Sequence, residues 1–77
     1  MYIAIRRVSL NQDSADYLFG EVESRMGRLR LDLRTGAATL LESCPDDSNE
    51  GIYHRAARKL FLHWQKQQTP ETTCWAT

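Results

Sequence analysis

The chain has 77 residues, with ten Lys plus Arg balanced by ten Asp plus Glu for a formal net charge of zero. That length makes a single domain near the lower limit for unassisted folding, burying about 60% of the surface its unfolded form exposes. The charge balance argues against a protein that works by long-range attraction to phosphate, since nonspecific nucleic-acid binders are basic overall, but it leaves room for a local patch.

The opening "MYIAIRRVSL" has too short an apolar core for a signal peptide. No stretch reaches the roughly 18 apolar residues that crossing a bilayer requires. Cys44 and Cys74 are too few for a disulfide framework and wrongly spaced for a zinc site. These features point to a reducing, cytoplasmic setting and no membrane partner.

Residues 2–10 read as a first strand. Ile3 and Ile5 share one face and Val8 and Leu10 the other, which a bulge near Arg6-Arg7 reconciles. "NQDSAD" then supplies turn residues. Residues 14–26 admit two readings. Ala15, Leu18, Phe19, Val22 and Met26 fit a helical stripe, whereas Tyr17–Glu23 fits a strand. Tyr, Phe and Val prefer extended structure and Gly20 would cost about 1 kcal/mol inside a helix, which favours the strand. A turn at Ser24–Gly27 would set Glu23 opposite Arg28 and Glu21 opposite Arg30. On the other face Val22 would meet Leu29 and Leu18 would meet Leu33.

"GRLRLDLR" alternates Leu29, Leu31 and Leu33 with Arg28, Arg30, Asp32 and Arg34, the pattern of a half-buried third strand. Thr35-Gly36 marks a short turn into a fourth strand. A two-residue turn would bring Ala38 and Leu40 inward, and a three-residue turn with a bulge Ala37, Thr39 and Leu41. Pro45 closes the strand region.

A helix follows, with Asp47 or Ser48 as cap and Glu50 at capping-box spacing from Asp47. Ile52, Tyr53, Ala56, Leu60 and Trp64 project to one side of it. Arg55, Arg58, Lys59 and Lys66 project to the other, with Leu62 among them. Thr69-Pro70 ends the element. The expected architecture is therefore α+β: a four-stranded antiparallel β-meander with one C-terminal helix packed on its leucine face. Residues 1–68 form the compact domain, and 69–77 a flexible tail unless Trp75 docks.

For function, the arginine row reads as a solvated sheet face with its charges paired across strands. In the favoured register Tyr17 and Phe19 point to the open face, joined by Leu40 if the turn has three residues. Such a cluster would suit a second copy or another protein. The helix offers a second surface. Leu62 ringed by cations suits an acidic protein partner, and Arg55, Arg58, Lys59 and Lys66 are the candidates for contacting nucleic acid.

Catalytic signals are absent. His54 and His63 project to nearly opposite sides of the helix and cannot share a metal. "DD" at 46 and 47 with Glu50 lacks calcium-loop spacing, and Cys44 has no basic flank to activate it. The sequence thus predicts a non-enzymatic interaction protein without cofactor or metal, acting through a sheet face or as a homodimer. Nucleic-acid association is the alternative.

Overall fold

The computed structural model describes residues 1–45 and 47–76. In chain order these hold β1 (Tyr2–Leu10), β2 (Ser14–Gly20), a 3-10 turn at Glu23–Arg25, β3 (Gly27–Asp32), β4 (Ala38–Glu42), α1 (Gly51–Gln65) and β5 (Thr72–Ala76). The class is α+β as expected, but among the described residues the antiparallel sheet has five strands rather than four, in the order β4-β3-β2-β1-β5. α1 lies across one face. No helix among the described residues is long and apolar enough to cross a membrane.

β1 carries the expected irregularity: its register with β2 shifts between Arg7 and Ser9. Val8 is the extra residue, and beyond it Leu10 stands opposite Ala15 on the helix side; Ile3 and Ile5 are buried, while Val8 and Leu10 both remain exposed. Residues 14–20 are strand, but the expected register with β3 is corrected. Arg28 faces Leu18 rather than Glu23, an odd shift that exchanges the two faces of β2. Tyr17 and Phe19 are consequently core residues, each 0% exposed. The cause lies at Gly27, which packs rather than turns. A Cβ there would come within 2.7 Å of the Phe19 ring and of the Glu42 carbonyl oxygen. Phe19 therefore sits opposite Gly27, and the chain reverses through the longer segment 21–26.

The β3–β4 connection is longer than either turn expected. The Asp32 N–H donates to the Ala37 carbonyl and the Gly36 N–H to the Asp32 carbonyl, both at 2.8 Å, so four residues, Leu33–Gly36, form the loop. Gly36 has φ +78, and the Trp64 indole lies where its side chain would be. Ala38 and Leu40 turn toward the helix side, so Leu40 packs half-buried against the core instead of joining an open face.

α1 begins later than its capping residues suggested. Glu50 occupies the cap position in a left-handed conformation and makes no side-chain cap bond. Instead the Asp47 carboxylate reaches in from three residues upstream and accepts the N–H groups of Ile52 and Tyr53, both at 3.1 Å. The helix ends in a Schellman arrangement with Gln67 at φ 59. Gln67 N–H donates to the Trp64 carbonyl, and Gln68 N–H to that of His63. Ala56 and Leu60 are buried on Ile3, Ile5, Ala15, Tyr17, Phe19, Leu29 and Leu31, with Ile52, Tyr53 and Trp64 at the margins.

The segment expected as a flexible tail instead returns to the sheet. Arg7 donates to the Thr69 carbonyl at 2.7 Å and the Tyr17 hydroxyl to the Pro70 carbonyl at 2.8 Å. Those two bonds pin the chain after α1 against β1 and β2, and β5 then pairs with β1 from Tyr2↔Ala76 to Arg6↔Thr72. Trp75 docks against the core, half-buried.

Candidate functional site

The molecule presents cations on two surfaces, and their surroundings differ. On the sheet face away from α1, Asp16 stands opposite Arg30, with Arg28 one diagonal step away. Arg30 grips the Asp16 carboxylate with two groups, Nε to Oδ1 at 2.8 Å and an η nitrogen to Oδ2 at 3.2 Å; Arg28 adds a third contact at 3.1 Å. The two arginines cover Asp16 until its side chain is 5% exposed. The Arg30 hydrogen bonds hold the Asp16 carboxyl below its ordinary range, outweighing the desolvation that opposes them. Arg6 pairs with Glu23 at 2.7 Å, Arg34 with Asp13 at 3.3 Å, and Arg7 lies 3.8 Å from Glu71. The row of Arg28, Arg30 and Arg34 is therefore paired, as expected, but with Asp16 and Asp13 rather than with Glu21 and Glu23 of the expected ladder; Glu23 pairs with Arg6 instead.

The outward face of α1 is the opposite case. The helical repeat sets Arg55, Arg58, Lys59 and Lys66 around Leu62. Arg55, Arg58 and Lys66 are exposed, Lys59 is half-buried, and Leu62 is 38% exposed. Gly51–Gln65 contains no Asp or Glu. Among the described residues none of the four cations forms an ion pair; only Arg55 is occupied, donating to the Gly51 carbonyl at 3.0 Å. Cations spaced three and four apart on one helix face repel one another by a few tenths of a kcal/mol per pair. This face costs the fold a little and contributes nothing to its core.

The remaining candidates fall elsewhere. Tyr17 and Phe19 lie under α1, with the Phe19 and Tyr53 rings 5.9 Å apart, so the docking cluster that they and Leu40 would have formed on the open face does not exist. His63 is structural. Its Nδ1 lies 3.0 Å from Gln68 Oε1, an acceptor, and its Nε2 2.9 Å from Thr73 Oγ1, tying α1 to β5. His54 is exposed beside the Tyr53 ring, away from it. Cys44 is buried and donates to the Phe19 carbonyl at 3.2 Å, and burial holds its thiol above the ordinary range. Among the described residues no group of three or more His, Cys, Asp or Glu could hold a metal ion; Asp46 lies outside them. An open groove of about 570 Å³ beside Leu33, Trp64, Gln65, Gln67, Gln68 and Thr69 carries no titratable group.

Sequence reasoning missed Asp16 and β5. Asp16 was legible only through the correct register, which alone sets it among the arginines. β5 had a signal in "TTCWA", β-prone and free of charge, which its place after Pro70 disguised. No family model, no curated protein and no solved structure matches the chain.

Proposed function

We propose that this is a small non-enzymatic interaction protein that docks the outward face of α1 on an acidic surface of another protein. The observation that carries the reading is that, among the described residues, Arg55, Arg58, Lys59 and Lys66 around exposed Leu62 have no carboxylate partner, on a molecule whose sheet arginines do. An anionic partner finds these cations without first displacing an internal carboxylate. Leu62 at the centre supplies an apolar anchor of the kind that sits inside a charged rim at protein interfaces. The free cysteines fit a cytoplasmic setting, and the scattered histidines and raised Cys44 thiol support the non-enzymatic part.

Nucleic acid is the second reading, because unpaired cations suit phosphate equally well. Leu62 separates the two. The probes are an amphipathic helical peptide rich in Glu and Leu, a generic DNA duplex and a single-stranded RNA, titrated from low to high salt. The expected result is peptide binding that weakens with salt, falls about tenfold or more with Arg58→Glu, and also falls with Leu62→Ser. Binding to DNA or RNA that ignores Leu62→Ser would support the second reading and overturn the first. No binding to any of the three at low salt would remove both.

A further inference from the structure

The sheet has two free edges, and they are not alike. At β4 the register shifts at the Arg28/Leu29 level, leaving Leu41 as an extra residue beside Glu42, so this edge is both bulged and charged. Bulges and charges are the devices that discourage edge-to-edge pairing. β5 has neither. Thr72–Ala76 pairs with β1 without a register break, and its five residues, Thr, Thr, Cys, Trp and Ala, carry no charge and no proline.

The direction of its backbone groups follows from one bond. Arg7 N–H donates to the Glu71 carbonyl at 2.8 Å, so residue 71 faces β1. By the alternation of an antiparallel ladder, Thr73 and Trp75 also turn their N–H and C=O groups toward β1. Thr72, Cys74 and Ala76 then turn theirs to the open edge.

We propose that β5 pairs antiparallel with β5 of a second copy of this chain, with the twofold axis through Cys74. That register sets Thr72 opposite Ala76 of the partner subunit and Cys74 opposite its own counterpart. Each outward-facing N–H and C=O meets its complement, because an uncharged strand with one residue on the dyad is self-complementary. Within Thr72–Ala76 no like charges are brought face to face. On the helix side the same register places Trp75 beside Thr73 of the partner subunit. The product is a continuous ten-stranded sheet with both helices on one side, their cationic faces directed the same way. The pairing is independent of what α1 binds.

Sedimentation and crosslinking with a short bismaleimide test it directly. Two Cys74 residues on the dyad would have Cα atoms about 5.5 Å apart. The other thiol, Cys44, is buried and does not compete. The expected result is a dimer at high protein concentration that crosslinks through Cys74. Cys74→Ala should still dimerise without crosslinking, since the backbone does the pairing. Cys74→Lys sets two ammonium groups together and should weaken the dimer about tenfold or more. Leu41→Lys, on the β4 edge, should leave it unchanged. In the unmodified protein the amide protons of Thr72, Cys74 and Ala76 should exchange more slowly as concentration rises, a readout that needs no variant to fold. A monomer at every concentration, a dimer disrupted by Leu41→Lys, or a dimer whose Cys74 does not crosslink would each overturn the proposal.

Discussion

The open face of the sheet and the outward face of α1 carry cations in similar numbers and use them differently. Arg28 and Arg30 close over Asp16, and Arg6 and Arg34 each hold a carboxylate, so the sheet's charges are spent within the fold. Among the described residues Arg55, Arg58, Lys59 and Lys66 have no such partner, and their helix has no acid to give them one. A paired surface cation is a structural residue whose loss is read in stability. An unpaired cluster is neutral or unfavourable for folding, so its loss is read in binding. Counting basic residues along the sequence cannot tell the two apart; only the partners can.

The largest effect that would break this contrast is expected from Asp16→Ala. The carboxylate receives three arginine contacts and is almost wholly covered, so its removal leaves two guanidinium groups facing each other across adjacent strand positions. Urea denaturation should show a loss of about 1–3 kcal/mol. The variant sheet should also acquire salt-sensitive affinity for the acidic peptide that the native sheet lacks. A variant as stable as the native protein would mean that the Asp16 cluster is ornamental and the contrast unfounded.

The same cluster predicts a pH dependence. The folded-state pKa of Asp16 lies below its ordinary value of 3.8, chiefly through the Arg30 hydrogen bonds. A carboxyl whose pKa is lowered by folding contributes stability that is complete above its unfolded value. That contribution is lost as pH falls below 3.8 through the lowered folded value. Acid unfolding should therefore steepen in that window for the native chain and be shallower there for Asp16→Asn. Parallel acid limbs for the two proteins would show that Asp16 does not carry the linkage.

Much of this was legible in the residues, and the failures share one physical origin. The period-2 pattern of Leu29, Leu31 and Leu33 and the apolar stripe of α1 follow from local periodicity and are where the pattern puts them. β1 has a bulge, between Arg7 and Ser9 rather than at Arg6-Arg7, that leaves Val8 and Leu10 exposed. Register does not follow from periodicity, because it depends on where a hairpin turns. Opposite charges at Glu21, Glu23, Arg28 and Arg30 made an attractive ladder, yet exposed pairs are worth too little to set a register against the burial of Tyr17 and Phe19. Burial of Tyr17 and Phe19, with Gly27 making room for the Phe19 ring, by itself sets Asp16 opposite Arg30. β5 was hidden for a related reason. Its docking rests on Arg7 and Tyr17, distant in sequence, reaching the carbonyls of Thr69 and Pro70. The helix face, by contrast, was legible because a 3.6-residue repeat alone places Arg55, Arg58, Lys59, Lys66 and Leu62 together.

The smallest expected effect gives the sharpest form of the comparison, because its sign differs between folding and binding. Lys59 lies four residues after Arg55, a like-charge helical spacing, and has no carboxylate partner among the described residues. Lys59→Glu replaces that repulsion with an attraction and should raise stability by about 0.4–1 kcal/mol, the sum of one pair lost and one gained. If the cationic face of α1 exists to bind an anionic surface, the same substitution should weaken peptide binding while the protein becomes harder to unfold. No substitution among the paired sheet arginines should behave this way, since each removes a contact the fold uses. A Lys59→Glu protein that gains stability and binds undiminished would mark the face as ordinary solvated surface. One that loses both would mean that Lys59 has a structural partner, and the two regions would no longer differ in kind.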